Sequence, residues 1–280
     1  MSWIVFTNCN EMQKKTIIRV LAVCCIALTS CDNVFDIHPY DVNVKEKNIN
    51  AQEIAKIEQK VKDKQTFKFA FISDSHQWLT DLSDEVKSIN EHGDVDFVIH
   101  GGDATDFGAT QEFEWTRGKL KKLNVPCVLL LGNHDCLGTG NQTYEAMFGN
   151  PDFSFIAGRV KFVCLNTNAI EYDYSQAVPN FDYMEAQATE RVDEFDRTVV
   201  CMHAAPYSEQ FNNNVAKPFR YYLSKFPHLM FCLYGHGHHT EQSDLYGDGL
   251  MFYQVGNAPK RKYYIFTVTP TEYKYEIIDF

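Results

Sequence analysis

The sequence predicts an α/β fold with mixed β-sheets, and three observations support this prediction. Apolar runs and amphipathic segments alternate as strand, helix, strand, helix, strand between residues 66 and 131, which is typical of a parallel sheet with crossover helices. Apolar runs at 153–155 and 160–165 flank an Ala-Gly turn, as paired strands do. The tail at 250–280 alternates apolar and polar residues, which predicts an antiparallel meander.

The first predicted element in the chain is a short helix that starts at Asn50 and presents Ile54, Ile57 and Val61 on one face. Strands are then predicted at 67–73, 95–100, 125–131, 153–155, 160–165, 197–202 and 229–234. Helical stripes are predicted within 82–89, 113–123 and 215–226, and an irregular aromatic loop at 166–182. This pattern predicts one domain, at residues 66–280.

The N-terminal segment has the features of a bacterial lipoprotein signal peptide. Basic residues at positions 14–19 come just before and within an apolar stretch at 17–28, which is too short to span a bilayer. Small residues then precede Cys31, as in a lipobox. We predict a signal peptide at 1–30, a lipidated Cys31 and a tether with the short helix at 31–65. The basic region directly follows Met12, which is a better start site than Met1. An ordinary signal peptide with an incidental cysteine is the alternative.

Charge and cysteine content limit the possible functions. The net charge is −11, and loss of residues 1–30 would remove three basic and one acidic residue, giving −13. Nucleic-acid binders usually present a basic surface, so nucleic acid is not an expected partner. The cysteines left after processing lie mostly in apolar runs and form no CxxC pair, which predicts buried thiols; they are Cys127, Cys136, Cys164, Cys201 and Cys232.

Polar residues follow several predicted strands at their carboxyl ends, where α/β sheets place their ligand sites. Their side chains offer oxygen and imidazole donors and no thiolate, which suits Mn, Fe, Zn or a mixed metal pair. A carboxylate in such a set can bridge two cations. The residues are Asp74, His76, Asp103, Asn133, His134, His203, His236 and His238.

Taken in order, these residues form Asp-x-His, Gly-Asp, Gly-Asn-His-Asp, a lone His and Gly-His-x-His. This series resembles the calcineurin-like metallophosphoesterases over about residues 66–240. The resemblance implies a sandwich of two mixed β-sheets flanked by helices. It also implies one metal ion held by Asp74, His76, Asp103 and His238, and a second held by Asp103, Asn133, His203 and His236.

The resemblance further implies hydrolysis of a phosphate monoester or diester with two divalent or mixed-valence metal ions, and the predicted lipid anchor places this activity at the bacterial cell envelope. His134 would protonate the leaving group and Asp135 would orient His134. An envelope nuclease or a phospholipid phosphodiesterase is one alternative function. A lipid-anchored binding protein with a retained but non-catalytic metal site is another.

For several residues near these motifs the sequence predicts the role less specifically. His100 is expected to be a surface or hydrogen-bonded core residue, and Asp106 either a partner of a ligand or a helix cap. His239 could contact substrate, but no motif supports this role. Tyr172 and Tyr174 could line a substrate pocket or cover a sheet edge.

Overall fold

The computed structural model describes Thr16, Arg19, His38 and residues 40–280. The predicted lipobox with Cys31 lies outside these residues, and so does the rest of the predicted signal peptide apart from the first two residues named. Val42–Phe280 forms one compact unit. Within the described part of the chain, no helix is both long enough and apolar enough to cross a bilayer.

The regular elements of the described residues alternate along the chain. The strands are β1 (Phe67–Ile72), β2 (Phe97–His100), β3 (Cys127–Leu129), β4 (Phe153–Ala157), β5 (Val160–Leu165), β6 (Arg197–Met202), β7 (Leu229–Tyr234), β8 (Glu241–Ser243), β9 (Phe252–Gln254), β10 (Lys262–Val268) and β11 (Tyr273–Asp279). The helices are α1 (Ile49–Val61), α2 (Leu79–His92), α3 (Thr110–Leu120), α4 (Gly140–Phe148), α5 (Phe181–Thr189) and α6 (Ala216–Leu223).

The strands form two mixed sheets, which confirms the predicted fold class. One sheet has five strands in the order β11-β10-β1-β2-β3, and the other has six in the order β4-β5-β6-β7-β9-β8. Strands β1, β2 and β3 are parallel, and so are β5, β6, β7 and β9. The antiparallel strands lie at the edges of this parallel core, where β10 pairs with β1 and β4 pairs with β5.

The two sheets pack face to face around an aromatic core. Phe69 of the five-stranded sheet contacts Phe162 of the six-stranded sheet edge-on, with ring centroids 5.2 Å apart. Phe97 meets the same Phe162 ring at 5.6 Å and perpendicular to it, a geometry that aromatic quadrupoles favour. The outer face of the first sheet packs on α2, α3 and α4, and that of the second on α5 and α6. The carboxyl ends of the parallel strands are therefore held by four packed layers.

Helix α1 is part of this arrangement because it covers the open edge of β3. The Asn50 side chain donates to Leu129 O at 2.9 Å and accepts from Leu129 N at 3.0 Å, and so replaces a neighbouring strand. The Glu53 carboxylate accepts from Cys127 N at 3.4 Å. Ile57 and Val61 are fully buried in the core between the sheets. A paired edge cannot add a foreign strand, so α1 protects the sheet.

The structure differs from the sequence prediction in the tail and in two helices. The predicted meander is wrong for β9, because this strand pairs in parallel with β7 and the chain then crosses to the other sheet. Within the tail at 250–280, the antiparallel hairpin is the one formed by β10 and β11. Helix α4 was not predicted, and α5 begins inside the expected loop at 166–182. Their apolar residues are too few to produce a clear helical period.

The described cysteines confirm the prediction of buried thiols. All are free and buried: Cys127, Cys136, Cys164, Cys201 and Cys232.

Candidate metal centre

The site forms where the parallel strands of both sheets end. Asp74 N donates to Gly102 O at 2.9 Å, which joins the loop after β1 to the loop after β2. Gly235 N donates to His203 O at 3.1 Å, which joins the loops after β6 and β7. Ala258 N donates to Asp74 O at 3.4 Å, so the segment before β10 also reaches the site. The motif residues are thus brought together by backbone hydrogen bonds between loops.

The first cluster of donors contains the residues that the resemblance assigns to one metal ion. Ligand atoms of Asp74, His76, Asp103 and His238 all lie within 4.8 Å of one another. His238 Nε2 is 3.3 Å from Asp74 Oδ1, and His76 Nε2 is 3.6 Å from Asp103 Oδ2. His76 Nε2 is buried and has no hydrogen-bond partner among the described residues. An unpaired buried nitrogen facing two carboxylates fits a divalent cation at this position.

The second cluster shares Asp103 with the first. His203 Nε2 lies 3.3 Å from Asp103 Oδ2 and 3.1 Å from Asn133 Oδ1. His236 Nδ1 lies 3.0 Å from the same Asn133 oxygen. Separations near 3 Å are those expected between ligands of one ion with bonds of about 2.1 Å. Asp103 Oδ2 faces both His76 and His203, so one carboxylate oxygen is common to the two clusters.

Hydrogen bonds from the far ring nitrogen fix the orientation of the imidazoles. His76 Nδ1 lies 2.9 Å from Asp106 Oδ1 and 3.1 Å from Thr105 O. His203 Nδ1 lies 2.9 Å from Gly101 O. Because these oxygens only accept, each Nδ1 carries the proton and Nε2 is left as the electron-pair donor. His236 is turned the other way, with Nδ1 in the cluster and Nε2 3.7 Å from Glu209 Oε1.

His134 stands beside the first cluster without belonging to it. Its ring meets His76 edge-on with centroids 4.8 Å apart, and its backbone N–H donates to Asp103 Oδ1 at 2.9 Å. His134 Nδ1 lies 2.9 Å from the backbone carbonyl oxygen of Asp106. Nε2 is therefore left to act on a bound molecule. A histidine held in this way can serve as a general acid.

Asp135 does not make the predicted contact with the His134 ring. Its fully buried carboxylate accepts from Gly132 N at 2.9 Å, from Ala104 N at 3.2 Å and from Thr105 N and Oγ1 at 2.9 Å. The physical reason is that a buried carboxylate takes the nearest unpaired backbone donors. Asp135 thus joins the loops after β2 and β3, and Asp106 takes the role of orienting His134.

Burial and charge act together on the titratable groups. Burial raises the pKa of Asp103, but the adjacent His203 outweighs this effect and holds it well below its usual range. Burial lowers the pKa of His203, while Asp103 and Asp74 more than reverse this and raise it to about 9. Burial and the Asp103 charge raise the pKa of Asp135 to about 6. Without metal ions, His203 therefore holds a proton on each ring nitrogen at neutral pH, and a cation must displace one of them.

The loops are tightly packed at the glycines of the motifs. A Cβ on Gly132 would overlap the backbone nitrogen and Oδ1 of Asp103. A Cβ on Gly102, which has φ +104°, would overlap His203 Nδ1. Many ligand residues also have left-handed backbone, which non-glycine residues rarely adopt. These are Asp74 (φ 53°), His76 (φ 43°), Asp103 (φ 54°), His236 (φ 66°) and His238 (φ 57°).

Other predicted residues lie outside the clusters. His100 is buried and its Nε2 lies 3.0 Å from Ser75 Oγ, so it is a hydrogen-bonded core residue. His239 is exposed and pairs with Glu241 at 3.2 Å. Tyr172 and Tyr174 line an open cavity of about 660 Å³ whose lining contains no cluster residue. Glu209, which approaches His236, carries no motif that could have identified it.

Comparison with known proteins agrees with this geometry. The family model described as calcineurin-like phosphoesterase matches residues 67–240. A dimetal phosphatase from Danio rerio is similar in structure with a TM-score of 0.57 at 12% identity, covering 75% of this chain and 98% of that one. A purple acid phosphatase from yellow lupin (Lupinus luteus) seeds gives 0.59 at 12% identity, covering 76% of this chain and 51% of that one. At these identities the likeness shows the fold alone. No curated protein sequence matches significantly.

Proposed function

The chain belongs to the calcineurin-like phosphoesterase family, and from this premise we propose that it hydrolyses phosphate esters with two metal ions bound at the candidate centre. The observation that carries the proposal is the shared oxygen of Asp103, which lies 3.6 Å from His76 Nε2 and 3.3 Å from His203 Nε2. A carboxylate placed between two donor sets is the arrangement that a pair of cations needs. Mn, Fe and Zn all suit this set of oxygen and imidazole donors.

Residues of both clusters would hold the metal ions. When bound, divalent cations polarise phosphoryl oxygens and lower the pKa of coordinated water. The buried carboxylate of Asp103 and the amide oxygen of Asn133 keep the donors of the two clusters close together. Asp135 and the glycines hold the loops that carry them. The protein thus provides a preformed site that needs little rearrangement when substrate binds.

His134 would donate a proton to the leaving oxygen of the ester. Its Nδ1–H is held by the Asp106 carbonyl oxygen, so protonation of Nε2 produces an imidazolium whose position is already set. The carboxylate of Asp106, 2.9 Å from His76 Nδ1, places negative charge near this pair of rings. An alkoxide leaving group would need this proton far more than a p-nitrophenolate.

The proposal is tested by hydrolysis of p-nitrophenyl phosphate and bis(p-nitrophenyl) phosphate. We expect the Mn²⁺-loaded protein to release p-nitrophenol from at least one of them, and chelation followed by dialysis to abolish the activity. Asp182→Asn, at an exposed position of helix α5, is a matched control that should behave as the wild type. No release from either ester by protein that contains two metal equivalents would refute the hydrolase and favour a non-catalytic binding protein.

We also propose that the mature chain is anchored in the bacterial cell envelope by a lipid on Cys31. The order of basic, apolar and lipobox segments supports this location. Cys31→Ser should move the protein from the membrane to the soluble fraction, whereas Cys24→Ser, within the apolar stretch, should leave it in the membrane. Membrane association of a cleaved Cys31→Ser variant would refute the anchor.

A further inference from the structure

Trp78 lies beside the first cluster, two residues after His76, where the loop from β1 enters helix α2. Its indole ring meets the His76 ring edge-on with centroids 5.2 Å apart and the His238 ring at 6.3 Å. Both histidines are proposed ligands of the same metal ion. The indole is only partly buried. A flat apolar surface therefore borders this metal position and remains accessible.

The charges near the site lead to a complementary conclusion. The carboxylates of Asp106 and Glu209 lie 2.9 Å from His76 and 3.7 Å from His236. Among the described residues, no lysine or arginine forms an ion pair with a residue of either cluster. Beyond the two metal ions, a second phosphate or carboxylate on the substrate would thus meet the carboxylates of Asp106 and Glu209 and, in the described part of the chain, no lysine or arginine that pairs with the clusters. The part of the substrate beyond the reacting phosphate should be uncharged.

Resting on the proposed function, we propose that Trp78 contacts the organic group of the ester and makes the site selective for phosphate esters of aromatic or other apolar, uncharged alcohols. Contact with the indole removes apolar surface from water, and an aromatic group gains further from its ring geometry. An aromatic pair of this kind changes affinity by about three- to tenfold. Sugar phosphates would gain neither contribution, and nucleoside polyphosphates would bring additional phosphates to a site without a paired lysine or arginine among the residues described.

The experiment measures binding without turnover. Isothermal titration calorimetry of the metal-loaded full chain would compare phenylphosphonate, methylphosphonate and inorganic phosphate. We expect the wild type to bind phenylphosphonate about three- to tenfold more tightly than methylphosphonate. Trp78→Ala should abolish this preference and leave phosphate affinity unchanged, and Trp78→Phe should retain most of it. Trp115→Ala, an exposed tryptophan on helix α3, is the matched control and should retain all of it.

Metal content is measured for each variant. Trp78→Gln, which keeps a long side chain without a ring, replaces the alanine variant if that protein does not bind two metal equivalents. Equal affinity of the wild type for the two phosphonates, or a preference that persists without the ring, would overturn the role of Trp78. Absence of ester hydrolysis by a wild type that shows the preference would instead overturn the proposed function, so the two failures are distinguishable.

Discussion

The loops of the five-stranded sheet and those of the six-stranded sheet contribute different chemistry to the metal centre. The first sheet supplies the carboxylates of Asp74 and Asp103, the amide of Asn133 and one imidazole, that of His76, all buried. The second sheet supplies only imidazoles, and their exposure rises from 0% for the side chain of His203 to 42% for that of His238. All the carboxylate ligands thus come from the first sheet, and the most exposed ligand, His238, comes from the second. Ligands should therefore differ in importance according to the sheet that carries them.

The largest effect is expected for Asp103→Asn. This change removes the charge that both clusters share, leaving two cations close together without a common anion. We expect the variant to bind clearly less than two metal equivalents and to lose activity by about 10⁴-fold. Metal analysis with a phosphatase assay checks this, with Asp182→Asn as the control. Two metal ions bound at wild-type affinity would contradict the bridging role.

The most buried and the most exposed ligands of the six-stranded sheet can be compared directly. His203→Ala removes a fully buried ligand that contacts both Asp103 and Asn133, whereas His238→Ala removes an exposed one. We expect about 10³-fold loss of activity and one missing metal equivalent for His203→Ala, with a smaller loss for His238→Ala because water can replace its ring. Metal titration and thermal unfolding measure both variants. Equal losses of activity and of bound metal would show that burial does not determine how much each of these ligands contributes.

A variant of His134, on the five-stranded sheet, can distinguish a loss of catalysis from a loss of metal binding. We expect His134→Ala to keep both metal ions, to lose about 10³-fold on an alkyl phosphate ester and to lose less than tenfold on a p-nitrophenyl ester. The reason is that p-nitrophenolate leaves without a proton. Comparison of kcat for the two esters tests this role. Loss of a metal ion would make His134 a ligand, and equal losses on both esters would make it a phosphate-positioning residue.

The smallest effect is expected for Asp106→Asn. The amide oxygen can still accept the His76 N–H, but the charge that makes the ring more basic is gone. We expect affinity for one metal ion to fall by about tenfold. The ratio of alkyl to p-nitrophenyl activity should stay constant because His134 contacts only the backbone carbonyl of Asp106. A changed ratio would show that the Asp106 side chain acts on the acid itself.

The site residues were predictable because polar side chains stand directly after apolar strands. Runs such as 125–131 end in Asn133 and His134, and parallel strands bring their ends to one edge. What the sequence could not reveal was which donors pair across loops. Asp135 follows His134 in the chain, yet its partners are backbone groups of residues 104, 105 and 132 and the hydroxyl of Thr105. Such pairings depend on how the loops pack, and loop packing leaves no periodic pattern in the sequence.

The same limit applies to the fold. Strands β1, β2 and β3 are predictable from their apolar runs. The partner of β9 is not, because the pattern of a strand of three residues is too short to specify which strand lies beside it. The apolar face of α1 was predicted, whereas the pairing of Asn50 with the edge of β3 was not. From the sequence alone, a polar residue on a helix is assigned to the solvent-exposed face. Only the structure shows that the open edge of a strand lies beside it.

The left-handed backbone of the ligand residues has a consequence for how this centre could be lost. Asp74, His76, Asp103, His236 and His238 all have φ between 43° and 66°, where a side chain costs about 1 kcal/mol relative to glycine. A sequence that drifted under demand for stability alone would replace such positions with glycine. Aspartate and histidine at all five positions therefore lower the free energy of unfolding of this chain. This cost argues against a protein in which the metal site has no function.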